Sequence, residues 1–132
     1  MACIINAESG TGLTNSADGS GLLKVQSDGK TTNALAWVNF NGTGTVAIRS
    51  SYNVSSITDN GTGNYTVNFT SALSDANYMM AGSITRSGFP QTGTIGPRDG
   101  GIFTTSALQI ATFDDGATAI DPPYVGVVVF GN

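Results

Sequence analysis

The stretch AWVNFNGTGTVAIRSSYNVSSITDNGTGNYTVNF, residues 36–69, decides the fold. It holds the single tryptophan, Trp37, and its DNGTGN segment at 59–64 is the strongest turn signal in the chain. Tyr52, Val54 and Ile57 precede that turn, and Tyr65, Val67 and Phe69 follow it at a spacing of two. Aromatic and β-branched residues in this arrangement around an Asn/Gly turn predict a β-hairpin with one buried face. Just upstream, Val38 and Phe40 share one strand face while Trp37 and Asn39 share the other. Both faces carry something large, as expected in the middle of a sandwich or at a subunit interface. Trp37, Phe40, Tyr65 and Phe69 are therefore the candidate core or trimer anchors, with a ligand-stacking platform as the other reading of Trp37.

Outward from this stretch the same grammar continues. Asn41–Gly42–Thr43–Gly44 turns the chain before Val46 and Ile48 resume the alternation. Thr70 to Ala76 is a polar connection with one apolar residue, Leu73, and room for a single helical turn; Tyr78 to Ile84 follows as a strand. Residues 86–101 are rich in Gly and Pro and read as a long loop holding at most a short strand at Thr94–Ile95. Long loops in compact domains are often functional. Arg86, Phe89, Gln91, Arg98 and Asp99 are accordingly the candidate recognition residues, the bland reading being a crossover loop.

Ile102 to Phe113 is the next strand candidate, with Leu108 and Ile110 on one face and Phe103, Ala107, Ala111 and Phe113 on the other. Asp114–Asp115–Gly116 ends it. Asp121–Pro122–Pro123 leads into YVGVVVF, residues 124–130, because proline fixes φ and offers no ladder donor. The expectation is an all-β, antiparallel sandwich of about eight strands over residues 36–132. Residues 1–35 read either as a stem or attachment segment or as a plain edge hairpin. Within them, Asp28–Gly29 between LLKVQ and TTNAL suits a two-residue turn, where Gly accepts positive φ freely.

Composition agrees with this class and narrows the chemistry. A chain of 132 residues fits one domain, and 18 glycines with 11% charged residues suit short strands and tight turns. At 39% hydrophobic content and net charge −4, the chain should fold. The five basic residues, Lys24, Lys30, Arg49, Arg86 and Arg98, are scattered, which argues against nucleic acid as a partner. No basic n-region with an apolar h-region opens the chain, and no apolar run approaches a membrane span, so neither export nor a membrane is expected.

There is no histidine, which removes every Ser–His and Cys–His nucleophile arrangement. Cys3 is the single cysteine; it excludes an intrachain disulfide and a Cys-based zinc cluster, and no neighbouring base lowers its pKa. Asp99, Asp114, Asp115 and Asp121 supply the carboxylates that glycosidase-type chemistry or a calcium ion would need, but each sits in a turn context and no D-x-D-x-D-G spacing occurs. The expectation is no catalytic residue, no cofactor and no metal. Asn-x-Ser/Thr sequons begin at Asn41, Asn53, Asn60, Asn64 and Asn68 and follow from composition.

The string LAWVNFNGTGTVAIRSSYNVSSITDNGTGNYTVNFTSALSDANYMMAGS, residues 35–83, resembles a segment of tailed-bacteriophage virion proteins of the tail-fibre-like kind. Its marks are the AWVNFNG opening, the SYNVSSITDNGTGNYTVNF hairpin and the DANY element at Asp75–Tyr78. Residues 9–33, SGTGLTNSADGSGLLKVQSDGKTTN, are similar to the turn-rich stem ahead of such segments. The resemblance implies a small all-β knob, usually trimeric, displayed on the virion and docked on other virion proteins through its N-terminal segment. It carries over no catalytic residue. It implies a tail-fibre-like protein contacting a host glycan or protein. Tail fibres usually have a longer shaft than the 35 residues found here, which opens a capsid decoration protein as the alternative. A carbohydrate-binding module stacking sugar on Trp37 or Tyr65 is a further alternative, and a hydrolase using the four aspartates is another.

Overall fold

The computed structural model describes residues 25–27, 30–86, 88 and 93–131. Most of the segment read as a stem, Cys3 included, lies outside them. Among them ten strands form: β1 (Gln26–Ser27), β2 (Lys30–Thr31), β3 (Ala36–Asn41), β4 (Ala47–Tyr52), β5 (Val54–Asp59), β6 (Asn64–Phe69), β7 (Met79–Thr85), β8 (Gly93–Pro97), β9 (Ala107–Asp114) and β10 (Tyr124–Phe130). β1 and β2 pair antiparallel with Ser27 opposite Lys30; the turn expected at Asp28–Gly29 lies outside the described residues. The other eight make two antiparallel four-stranded sheets, ordered β4-β3-β10-β7 and β5-β6-β9-β8. No helix occurs among the described residues, and the connection from Thr70 to Ala76 does not use its room for a helical turn; Leu73 is buried there and its N–H donates to the Thr105 carbonyl at 2.8 Å.

Period-two alternation fills the space between the sheets. Val38 and Phe40 of β3 and Val125, Val127 and Val129 of β10 point inward from one sheet. Tyr65, Val67 and Phe69 of β6 and Leu108 and Ile110 of β9 point inward from the other. Phe40 and Tyr65 meet across the core edge-to-face, with centroids 5.2 Å apart. A second aromatic group closes one end: Tyr78 meets Phe69 edge-to-face and stacks on Phe103 at 4.8 Å. Leu35 is also in this core, 1% exposed, and its N–H donates to the Val129 carbonyl at 2.8 Å.

The central hairpin is shorter than the sequence predicts. β5 and β6 pair around the turn at 60–63, but Tyr52 belongs to β4 in the other sheet. The chain crosses between sheets at Asn53, a non-glycine residue at φ 53°. Asparagine tolerates the left-handed region because its short amide bonds locally. Here Nδ2 donates to the Leu35 and Ser71 carbonyls at 3.1 and 3.2 Å, and Oδ1 accepts the Ser71 N–H at 2.8 Å.

Two further expectations change. Ile102 to Ser106 lies ahead of β9, folding back so that Phe103 bridges Leu108 and the Ile102 carbonyl accepts the Gln109 N–H. The long loop at 86–101 contains a full strand, β8, paired with β9 from Gly93–Asp114 to Pro97–Ile110.

Candidate functional site

The outer face of β5-β6-β9-β8 is built from hydroxyls and carboxamides. Asn68 Nδ2 donates to Ser56 Oγ at 3.1 Å and to Thr58 Oγ1 at 3.0 Å, joining β6 to β5. Gln109 Nε2 donates to Asn64 Oδ1 at 2.8 Å, joining β9 to β6. Such side-chain ladders hold a sheet face in one rotameric arrangement.

At one end of this face lies a cleft of about 540 Å³, bounded by the β5–β6 turn (Asn60 to Gly63, with Asn64) and by Pro97, Arg98 and Asp99 after β8. Its floor is Ala111, Phe113 and Ala119. Phe113 is 37% exposed although it is a large apolar residue on a central strand. A volume of this size falls in the range of roughly 300–1,000 Å³ typical of small-molecule sites.

The turn that forms one wall is held from below. Gly63 N–H donates to Asp121 Oδ1 at 2.7 Å, Thr112 N–H donates to the Gly63 carbonyl at 2.9 Å, and Asn60 Nδ2 donates to Thr66 Oγ1 at 2.9 Å. Asp121 Oδ1 also accepts the Tyr65 phenol at 2.6 Å. Burial, and then this hydrogen bond to a carboxylate, push the Tyr65 phenol well above the usual tyrosine range. On the opposite wall, Arg98 N–H donates to the Gln109 carbonyl, and Gly101 N–H donates to the Arg98 carbonyl.

Of the expected recognition residues, the three that are described stand at two ends of β8. Arg98 and Asp99 line the cleft. Arg86 sits at the other end of β8, its guanidinium 3.9 Å from Asp114 and 3.5 Å from Asp115. β8 separates the two arginines because Gly93 pairs with Asp114 while Pro97 pairs with Ile110. Phe89 and Gln91 lie outside the described residues. Asn60, Asn64, Phe113 and Ala119 were missed; the one available signal was the DNGTGN turn, which read as architecture alone.

Of the expected anchors, Phe40, Tyr65 and Phe69 are in the core at 0, 0 and 7% exposure. Trp37 is not: at 38% exposure it stands on the outer face of β4-β3-β10-β7. There it lies opposite Tyr52 on β4 and Val128 on β10. Tyr124, with the Arg49 guanidinium 4.1 Å above its ring, and Met79 share this face at 50 and 60% exposure. Tyr65 cannot be a stacking surface because its ring is fully buried.

Three aspartates serve turns. Asp59, Asp75 and Asp114 accept N–H groups two residues on, from Gly61, Asn77 and Gly116, and Asp114 also accepts the Thr118 N–H. No three acids come together as a metal site among the described residues. Among those residues no helix is long and apolar enough to cross a membrane.

No family model matches the chain, and no curated protein or solved structure matches it either. The fold and the cleft therefore stand on their own geometry.

Proposed function

We propose that the chain is a non-enzymatic structural protein on the surface of a tailed-bacteriophage virion, most like a small tail-fibre protein that contacts the host. It works as a homotrimer docked on other virion proteins through its N-terminal segment. The observation that carries this reading is the string at 35–83, whose resemblance to tail-fibre-like segments covers β3, β4, β5 and β6 and the start of β7.

The outer face bearing Trp37, Met79 and Tyr124 supports the oligomer. Aromatic residues and methionine are enriched at subunit contacts, and a closed symmetric assembly covers both this face and the free edges of the sheets. The cleft beside Arg98 and Asp99 supports a contact role, since it stands on the hydrogen-bonded face of the other sheet, away from the Trp37 surface.

Antibody labelling of purified particles in negative stain tests the location. Label at the tail is the expected result, label on the shell makes the chain a capsid decoration protein, and unlabelled particles overturn a virion role. Light scattering tests the assembly: a trimer mass is expected, and a strict monomer at micromolar concentration overturns it.

A further inference from the structure

The geometry points to the cleft over Phe113 as a binding site for a neutral hexopyranose oligosaccharide, about two rings long. This names the ligand class for the host-contact role proposed above and rests on that role only for the source of the glycan.

The floor is the first reason. Phe113 is a single exposed ring whose neighbours in the cleft floor, Ala111 and Ala119, add only methyl groups. On strand β8, Gly96 lies opposite Ala111 and presents no side chain at all. The result is an apolar patch with one aromatic ring, set in a face rich in hydroxyls and amides. A pyranose has the matching surface, with apolar C–H groups on its faces and hydroxyls around its edge.

The rim supplies what those hydroxyls need. Each sugar hydroxyl both donates and accepts, so its site needs acceptors and donors close together. Asn64 Oδ1 is occupied by Gln109 and Asn60 Nδ2 by Thr66, which fixes both carboxamides. Asn64 Nδ2 and Asn60 Oδ1 are thereby left facing no side-chain partner among the described residues. Across the cleft stand Arg98 and Asp99, one purely a donor and one purely an acceptor.

Other ligand classes fit less well. A phosphate or polyanion would meet one arginine, an aspartate beside it and a net charge of −4. A peptide adding as a strand needs a free sheet edge, whereas this cleft lies on a face whose backbone groups are already in the β6–β9 and β8–β9 ladders.

The test is amide chemical-shift mapping of the full chain with lactose, maltose, cellobiose and diacetylchitobiose at about 20 mM each, a level suited to ~millimolar affinities. At least one of them should shift the amides of residues 61–64 and 98–100. Phe113→Ala should weaken that binding by about tenfold. Gly96→Leu should block it: a Cβ at Gly96 meets nothing within 4 Å, so the added side chain starts into open space beside the floor. Unchanged thermal melts show that both variants are folded. Shifts from none of the four sugars, shifts confined to the Trp37 face, or binding that survives both variants would each overturn the site. Particle labelling does not depend on this result, so failure of sugar binding leaves the virion reading standing, and unlabelled particles leave the binding standing.

Discussion

The phenol of Tyr65 donates to Asp121 Oδ1 at 2.6 Å across 56 positions of sequence, and that same oxygen accepts the N–H of Gly63. One carboxylate oxygen thus ties a buried core ring, the β5–β6 turn and the lead into β10 together. The ring itself is fully buried against Phe40. Removing the hydroxyl leaves the packing intact and costs the charge-assisted bond, so Tyr65→Phe should destabilise by about 1.5–3 kcal/mol in urea unfolding. Asp121→Asn keeps an acceptor oxygen and should cost less. An Asp121→Asn variant as stable as wild type would show that the charge on the acceptor is not what matters.

Alkaline stability follows from two buried phenols. Burial pushes Tyr78 up to about 12 from its ordinary 10.0, and Tyr65 is raised further in the same direction. A group with a raised folded-state pKa contributes stability that is complete below its unfolded pKa and is lost as pH climbs through the folded one. Thermal midpoints should therefore be flat up to pH about 10 and fall between pH about 10 and about 12. Tyr78→Phe should flatten part of that fall. It should also lower the midpoint at neutral pH, because the Tyr78 hydroxyl reaches the Thr104 and Ala107 carbonyls, each at 3.0 Å.

Asn53 is the corner on which the two sheets exchange the chain. Asn53→Gly keeps the φ of 53° without strain and loses the three side-chain hydrogen bonds. Asn53→Ala loses them too and adds a left-handed Cβ, a further ~1–2 kcal/mol. The expected order of stability by chemical denaturation is wild type, then Gly, then Ala. An alanine variant as stable as the glycine one would remove the strain argument.

Two glycines with nearly equal φ should respond differently to alanine. Gly44 at +66° has nothing within 4 Å of an added Cβ, so Gly44→Ala should cost only the backbone term, about 1 kcal/mol. Gly63 at +67° would place a Cβ 2.5 Å from the Thr112 carbonyl and 3.0 Å from the Ala119 Cβ. Gly63→Ala should cost more than about 3 kcal/mol and displace the wall of the cleft.

Trp37 reports on the proposed assembly. In an isolated subunit its 38% exposure makes it quenchable by acrylamide. If a second subunit covers it, emission should be blue and protected at about 100 μM protein, and should shift red on dilution toward about 0.1 μM. Emission independent of concentration across that range counts against this face as the contact.

Strand identity was legible because it is local. The alternation in Tyr65–Val67–Phe69 and in Val125–Val127–Val129 places those residues inward whatever else the chain does, since a strand turns its side chains with a period of two. The turn at 60–63 was legible for the same reason, through its glycines and asparagines. The pattern around Thr94–Ile95 was weaker, because Gly93, Gly96 and Pro97 are poor strand formers. Pairing with β9 made a strand of it nonetheless.

Which sheet each strand joins, and what stands beside what, was decided by tertiary structure. Tyr52 and Val54 look continuous in sequence, yet Asn53 sends them into different sheets through bonds to Leu35 and Ser71, each 18 positions away. Trp37 alternates correctly with Val38, but only the observed sheet order leaves its face uncovered among the described residues. The cleft needs Asn60 and Asn64, Arg98 and Asp99, and Phe113 from three separate parts of the chain. The amino-acid sequence by itself determined the strands, the inward faces and the lack of histidine chemistry, because propensity and periodicity act over a few residues. Strand order, the exposed Trp37 face and the cleft arise from pairings between distant segments, and local pattern carries no information about those.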